Sequence, residues 1–278
     1  MWSILARGKG NVILASFCLC AVSATTLRSQ DASNSLANGV QSLRQGRTFV
    51  AIKALRSALA EGDLRAHLPL AEAYFVLNQR KLFKEEIALA KAAFPLDPEA
   101  FYVEGRYRFQ VEKDVETAAK QFQLALVRSA DHYKALCYLG ICLREMRKEE
   151  EAEPLLLKSV QLAEQSKSSF YLPYQSLAEY YLQLNRLEEA ESMIGKAVAL
   201  APRVAMNQFL LGKVAWAAKK NDVAMASLNA AIKIDPAFLQ AYYLLSRVLS
   251  AMGDKDGANR RLTEFQTLKD IYGLGQRQ

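Results

Sequence analysis

Histidine is scarce in this sequence, and the residue combinations that mark most catalytic and metal sites are missing. No cysteine or carboxylate cluster at metal-ligand spacing accompanies either of the two histidines, His67 and His132. The chain has no glycine-lysine loop that would cradle a phosphate, no nucleophile elbow and no zinc-protease helix motif. We therefore expect a protein that is not an enzyme, with no catalytic residue, metal site or cofactor, and two histidines of ordinary surface or packing type.

Cysteine and one-sign charge runs are also sparse. Cys137 and Cys142 lie five residues apart, which on one helix separates their Cα atoms by more than a disulfide tolerates. We expect both to be small buried hydrophobic residues, since free cysteine is among the most buried residue types. The formal net charge of +7 is spread along the chain without a long run of Lys and Arg. This distribution speaks against a nucleic-acid partner.

The first 24 residues are typical of a secretory signal peptide. Arg7 and Lys9 precede an apolar stretch from Val12 to about Ala24, and the stretch ends in small residues. This stretch is too short to span a membrane comfortably. We predict cleavage near Ala24 and a periplasmic or secreted protein. The alternative is an uncleaved segment that anchors the chain, which is the one membrane contact we expect.

The remainder of the chain repeats with a period of thirty-four residues. The segment "AVALAPRVAMNQFLL" at 197–211 returns at 231–245 as "AIKIDPAFLQAYYLL". Alignment predicts a short linker at 25–31, seven repeats within 32–272 and a tail at 273–278. The repeats are 32–63, 64–97, 98–132, 133–170, 171–204, 205–238 and 239–272.

Three columns of the repeat carry a packing signal. Position eight is small in all seven repeats: Gly39, Ala71, Gly105, Gly140, Ala178, Gly212 and Ser246. Position twenty is small except at Phe83, with a one-residue insertion before Ala118. Position twenty-four is large and apolar throughout: Leu55, Ile87, Phe122, Leu156, Ile194, Leu228 and Leu262. Positions twenty, twenty-four and twenty-seven share one helix face, and small residues let two helix axes approach closely. The columns therefore predict two antiparallel helices per repeat.

Two features of the array predict departures from regular stacking. The interval from Ala152 to Ala190 is thirty-eight residues, with the surplus around Ala163 to Tyr171. We expect a long second helix or a looped-out linker there, and a mechanical seam after the fourth repeat; the alternative is a tolerated surface insertion. In the last repeat, we expect Ala258, Leu262 and Phe265 to face inward while a polar outer face caps the array.

This column pattern resembles the tetratricopeptide repeat, and "YKALCYLGICLREMRKEEEAEPLLLKSV" at 133–160 is among its clearest copies. The resemblance implies an all-α fold, an α-solenoid of about seven helical hairpins in a right-handed superhelix. It also implies a concave face that binds peptides or proteins, here in an exported bacterial type of the family. The Lys and Asn of the family's carboxylate-clamp co-chaperones are absent from the first helices.

A groove for this partner is predicted from the family's concave positions two, five, nine and twelve. Position nine reads Val40, Glu72, Arg106, Ile141, Glu179, Lys213 and Arg247. Cations and aromatics at these positions give the predicted partner-binding residues: Tyr102, Arg106, Phe109, Arg144, Phe209, Lys213, Trp216, Tyr243 and Arg247. Such a surface suits an extended peptide with acidic and apolar side chains, because Arg binds carboxylates bidentately and aromatics bury area. The alternative is that the aromatics pack between repeats and the cations are only solvated.

Two functions are consistent with these expectations. The first is a non-enzymatic exported scaffold that holds a protein or peptide partner in its concave groove. The second is a substrate-recognition or assembly subunit of a cell-envelope enzyme complex.

Overall fold

The computed structural model describes residues 33–272, which contain helices and no strand. The predicted signal peptide, linker and tail, at 1–24, 25–31 and 273–278, lie outside the described residues. The chain divides after Ala130 into two compact units. Within residues 33–272, none of the helices combines the length and the apolar content needed to cross a membrane.

Unit 1 is a series of helices joined by short turns. Its helices are α1 over residues 33–44, α2 (Thr48–Ala60), α3 (His67–Val76), α4 (Arg80–Ala93), α5 (Pro98–Tyr107) and α6 (Val115–Arg128). A 3₁₀ turn, Leu64–Ala66, precedes α3. Helices α3 and α4 pack together, as do α5 and α6.

Unit 2 continues the same pattern with four helix pairs. They are α7 (Tyr133–Glu145) with α8 (Glu149–Gln165), α9 (Leu172–Gln183) with α10 (Leu187–Leu200), α11 (Ala205–Ala217) with α12 (Asn221–Ile234), and α13 (Leu239–Ala251) with α14 (Lys255–Ile271). Pro202 and Pro236 follow directly on the ends of α10 and α12, where a missing N–H stops the helix.

One turn motif joins the two helices of each pair. In six of the seven turns of the described residues, the second residue after the first helix adopts a left-handed conformation, and the next amide donates to a carbonyl five residues earlier. In the turn at Lys113, Asp114 N donates to Arg108 O, six residues earlier. In unit 2, Lys148 N donates to Leu143 O at 2.9 Å, and Lys220 N donates to Ala215 O at 2.8 Å. The left-handed residues of these turns are Gly46, Asn78, Lys113, Arg147, Asn185, Lys219 and Gly253. These bonds satisfy carbonyls that the helix end would otherwise leave without partners.

The residues at positions eight and twenty-four of a repeat contact each other between the two helices of the pair. A Cβ added to Gly140 would lie 2.8 Å from Leu156 Cγ, and one added to Gly212 would lie 2.8 Å from Leu228 Cγ. Where position eight is Ala71 or Ala178, its partner is Ile instead: Ile87 or Ile194. The side chain at position twenty-four thus fills the space that the small residue leaves open, as the columns predict.

Two irregularities of unit 1 have local solutions. Phe83, the large residue at position twenty, is buried and stacks on Tyr107 with ring centroids 3.9 Å apart. The one-residue insertion of the same region is taken up by a π-helical turn, Arg108–Glu112, at the end of α5. A single-turn π-bulge is the usual way in which a helix accommodates an extra residue.

Charged side chains bridge the π-helical turn. Arg108 donates to Glu104 at 3.0 Å and to Glu112 at 2.6 Å, and Lys84 Nζ lies 2.8 Å from Glu112. Burial raises the pKa of Glu112, but the hydrogen bonds from Lys84 and Arg108 outweigh it and lower the pKa below its usual value. Ionised Glu112 is therefore part of the folded structure of this turn.

The extra residues near the end of the fourth repeat lengthen its second helix, as one of the two expectations had it, while the mechanical seam stays a prediction. Helix α8 is long, with 17 residues against 14 in α10 and α12. One hydrophobic cluster joins Leu156 before the extra residues to Tyr174 and Leu177 after them. The chain divides into compact units after Ala130. A lengthened helix absorbs the insertion because its apolar face still packs against α9.

The cysteines and histidines have structural roles. Cys137 and Cys142 are buried and free, as predicted. Burial raises the pKa of the Cys142 thiol to about 12, and that of Cys137 well above its ordinary value. His67 Nδ1 lies 2.7 Å from Glu86 Oε2, while His132 Nδ1 accepts the amide of Ala135 and caps α7.

Candidate functional site

Helices α9, α11 and α13 of unit 2 form a surface with three adjoining hollows. The largest has a volume of about 620 Å³, and its walls include Glu179, Met206, Phe209, Lys213, Trp216 and Arg247. A second hollow of about 490 Å³ shares Trp216 and Arg247 with the first, and a third of about 470 Å³ shares Phe209 and Lys213. Because of these shared residues, the hollows form one surface, which we call the α9–α13 groove.

Helical spacing brings these side chains together. Phe209, Lys213 and Trp216 lie at intervals of four and three along α11 and so share one face. Tyr243 and Arg247 have the same four-residue spacing on α13 and line the adjoining hollow. Five of the nine predicted binding residues are therefore placed together on this surface.

The two cations of the groove lie against aromatic rings. Lys213 Nζ is 5.7 Å from the ring centroid of Phe209, and the guanidinium carbon of Arg247 is 4.6 Å from that of Trp216. Both cations are exposed, and neither forms an ion pair with a carboxylate within residues 33–272. By contrast, Lys220 on the same unit lies 2.7 Å from Glu191. The charges of Lys213 and Arg247 are thus oriented by the rings and accessible to an anionic ligand.

Arg144 differs from its predicted role. Its Nη1 donates to both the carbonyl and the hydroxyl of Ser176, at 2.9 Å each, and lies 3.6 Å from Glu179 Oε2. The side chain is 12% exposed. Its Nη1 joins α7 to α9 and lies beside Glu179, while its buried Nε has no hydrogen-bond partner among the described residues. Arg144 is not an exposed anchor for a partner.

The other three predicted residues belong to unit 1. Tyr102 is 5% exposed and packs against Phe122, with ring centroids 6.2 Å apart, so its predicted contact with a partner is corrected: the ring is part of the core. Arg106 lies over the rings of Phe75 and Tyr102, at 5.3 and 5.7 Å. Phe109 lies in the π-helical turn and is partly buried. In unit 1, therefore, these residues pack largely among themselves.

Seven residues that line the first hollow were absent from the predicted set, and three of them stand at concave positions of the repeat. Glu179 stands at position nine, Met206 at position two and Leu182 at position twelve, which are the concave positions used for the prediction. The selection kept cations and aromatics at these positions and passed over a carboxylate and two aliphatic side chains. Their positions in the repeat would have been sufficient to predict these three residues.

Residues 176–237, which include α11 and much of the groove, match a family model. The family is the tetratricopeptide repeat. No curated protein sequence matches the chain.

Solved structures share this fold at low sequence identity. PilW, described as a widely conserved type IV pilus biogenesis factor, is 19% identical with a TM-score of 0.62, covering 78% of this chain and 98% of its own. A tetratricopeptide repeat protein from Parabacteroides merdae is 14% identical with a TM-score of 0.59, covering 86% and 93%. YrrB, described as a tetratricopeptide repeat protein with an unusual peptide-binding site, is 16% identical with a TM-score of 0.52, covering 66% and 92%. These similarities confirm the predicted all-α fold of tetratricopeptide-type helical hairpins.

Proposed function

We propose that the α9–α13 groove binds an extended segment of a partner protein and that the protein acts as a non-enzymatic scaffold. The observation that carries this proposal is the pair of cations, Lys213 and Arg247, held over aromatic rings without a carboxylate partner in the described residues. A carboxylate on the partner supplies what each cation lacks, and Arg accepts it with two parallel hydrogen bonds. Burying aromatic surface beside such a charged contact is typical of binding hot spots.

The order of charges along the groove favours a particular partner sequence. Glu179, Lys213 and Arg247 occupy position nine of three successive repeats, so the groove carries one negative and then two positive charges. A segment with carboxylates opposite Lys213 and Arg247 and none opposite Glu179 matches this order. Apolar side chains between those carboxylates fit against Met206, Phe209 and Trp216.

The relatives support a binding role at the level of the fold. YrrB is described as having a peptide-binding site and PilW as a pilus biogenesis factor, and both have the fold of this chain. The signal-like start of the sequence leads us to include export to the periplasm or the cell exterior in the proposal, with an uncleaved anchor as the alternative. N-terminal sequencing of the protein from its native host tests this: a start near Thr25 supports export with cleavage, and an intact Met1 chain in the membrane pellet indicates the anchor.

The partner can be captured from the groove itself. A photo-cross-linking amino acid at Met206 lies inside the first hollow, whereas one at Ile234 on α12 has the same 37% exposure outside all three hollows. We expect a partner to be captured at Met206 and not at Ile234. A captured catalytic protein whose activity falls when this chain is removed would favour the enzyme-subunit alternative.

Charge removal then tests the contacts. We expect Lys213→Ala and Arg247→Ala each to cost about 1 to 3 kcal/mol, or roughly 5- to 150-fold in Kd for the captured partner. Lys233→Ala and Arg203→Ala are matched controls, since they remove exposed cations that line none of the hollows. Equal affinity of the groove variants and the controls would refute the proposal.

A further inference from the structure

In the last helix pair, the large side chain at position twenty-four is exposed to solvent, whereas it is buried in every other repeat of the described chain. At position twenty-four, the first six repeats bury their large side chain to between 0 and 4% exposure, whereas Leu262 is 47% exposed. The six buried residues are Leu55, Ile87, Phe122, Leu156, Ile194 and Leu228. Of the three residues expected on the inner face of α14, Ala258 is buried and Phe265 is partly buried, whereas Leu262 is exposed, so α14 does not present a polar outer face alone.

Within unit 2, the column is closed by the first helix of the following pair. Leu156 belongs to one cluster with Tyr174 and Leu177 of α9, and that cluster also joins Ile194 to Leu210 and Val214 of α11. Leu228 is covered in the same way by α13. Leu262 has the side chain of this column, but no helix within residues 33–272 covers it as in the preceding pairs.

The uncovered surface of α13 and α14 has the shape of a site for one further helix, which we call the helix seat. Leu262 and Ala258 line the second hollow of the groove together with Tyr243, Ser246 and Ser250 of α13. Phe265, one turn further along α14, lines the third hollow and lies 5.6 Å from Tyr243 between ring centroids. Small and apolar side chains from two helices thus flank one open channel.

The covering helix of the preceding pair shows which side chains fit such a seat. The residues of α13 that cluster with Leu228 are Ala241, Leu244, Leu245 and Val248, at i, i+3, i+4 and i+7. This spacing is the apolar stripe of an amphipathic helix. Ala258, Leu262 and Phe265 occupy the columns of Ala224, Leu228 and Ala231, so two of the three columns repeat the covered surface and the third carries a larger apolar side chain.

The charges around the helix seat indicate which molecule supplies the helix that binds there. Arg247 lines the second hollow and Lys213 the third, and neither has a carboxylate partner within residues 33–272. The first described helix pair of a second copy is a poor occupant, because residues 33–60 contain four cations and no carboxylate. Residues 273–278, "GLGQRQ", hold one apolar residue and cannot supply the stripe. A helix with carboxylates beside its stripe fits both the shape and the charge.

We propose that the open face of α13 and α14, formed by Tyr243, Ala258, Leu262 and Phe265, is a docking site for an amphipathic helix of a partner protein with acidic flanks. This site shares the second and third hollows, Arg247 and Lys213 with the α9–α13 groove, but it goes beyond the proposed function because it takes a helix on α13 and α14 and not an extended segment across α9, α11 and α13. The partner helix occupies the place that a further first helix would take and pairs its carboxylates with Arg247 and Lys213.

The test uses two synthetic helical peptides that share an Ala-Leu-Leu-Val stripe at i, i+3, i+4 and i+7. One carries glutamates on both flanks of the stripe and the other carries lysines. Fluorescence anisotropy is measured with the full chain and with Leu262→Ser. The control variant is Ile271→Ser, which changes an apolar residue of α14 that is 70% exposed and lines none of the hollows.

We expect the glutamate peptide to bind the parent protein and the lysine peptide to bind at least about tenfold more weakly. We expect Leu262→Ser to weaken the glutamate peptide by roughly tenfold or more, and Ile271→Ser to leave it within about twofold. No binding of the glutamate peptide, equal binding of both peptides, or equal binding by Leu262→Ser would overturn the proposal. Concentration-dependent self-association of the parent that Leu262→Ser abolishes would also overturn it, in favour of a second copy as occupant.

A groove variant separates this site from the proposed function. Met206 lines the first hollow and neither of the hollows beside α14. We expect Met206→Asp to leave the glutamate peptide bound. If Met206→Asp releases the peptide and Leu262→Ser does not, the peptide lies in the first hollow of the α9–α13 groove. The helix seat is then wrong while the proposed function stands.

Discussion

Replacing Gly212 by Ala tests the contact between positions eight and twenty-four. The new Cβ would lie 2.8 Å from Leu228 Cγ, 3.0 Å from Leu228 Cδ2 and 3.3 Å from the carbonyl oxygen of Ala224. Such overpacking of a filled core typically costs about 1 to 3 kcal/mol. Ala at a helix-interior position contributes about 1 kcal/mol in the opposite direction. We therefore expect Gly212→Ala to lower the free energy of unfolding by about 1 kcal/mol.

A second glycine of unit 2 provides a control variant, and a natural residue pair of the preceding repeat suggests a rescuing substitution. Gly195 lies inside α10, and a Cβ added there meets nothing within 4 Å, so Gly195→Ala should stabilise the protein by up to about 1 kcal/mol. Ala178 pairs with Ile194 in the preceding repeat, and both are fully buried. We expect Leu228→Ile to restore most of the stability lost in Gly212→Ala, with a coupling energy of about 1 kcal/mol.

The assay is urea unfolding of the chain without residues 1–24, followed by tryptophan fluorescence. Trp216 is then the sole tryptophan and lies four residues from Gly212 on the same helix. Thermal unfolding followed by circular dichroism provides a second measure. If Gly212→Ala stabilises the protein as much as Gly195→Ala does, then packing against position twenty-four is not the reason why position eight is small.

Three further outcomes follow from the charges, caps and thiols. The pKa of Glu112 is lowered in the folded protein, so its contribution to stability is present above about pH 4.5 and is lost as the pH falls through the pKa of the folded state. Glu112→Gln should therefore flatten the fall in melting temperature below pH 4.5, and the control Glu116→Gln should not. Asp254→Ala removes the cap of α14, where the carboxylate accepts an amide at 2.8 Å, and should cost about 1 kcal/mol, whereas Asp254→Asn should cost less. In the chain without residues 1–24, Cys137 and Cys142 should resist a thiol reagent at pH 8 and react fully in denaturant; rapid reaction of the native protein would contradict their burial.

The repeat columns were sufficient to predict the helices and their packing, because each column reports a contact within one helix pair. Gly212 and Leu228 are an example, since the large side chain fills the space that the small residue of the same pair leaves open. The columns did not predict the division after Ala130, because the thirty-four-residue period continues across it. A boundary between units depends on how neighbouring pairs pack, and position within the repeat does not encode that.

The candidate site shows the same limit for individual side chains. Tyr102, Phe209 and Tyr243 all stand at position five of their repeats, but their exposure differs. Tyr102 is buried against Phe122, whereas Tyr243 lies at the open end of unit 2 and is 48% exposed. The register predicts which way a side chain points, while the neighbouring helices decide whether it remains accessible.

The recurring turn between paired helices has a consequence for folding kinetics. Most of these turns are closed by a hydrogen bond that spans five residues, as in Lys148 N to Leu143 O, and within unit 2 each helix pair contacts the pair next to it in sequence. Chains dominated by such local contacts fold rapidly, because little loop-closure entropy is lost before contacts form. Several helix pairs can therefore serve as independent nuclei, and structure grows outward from any of them. Unfolding proceeds in the reverse order, so α14, with its column uncovered, is the first element of unit 2 to exchange its amide hydrogens.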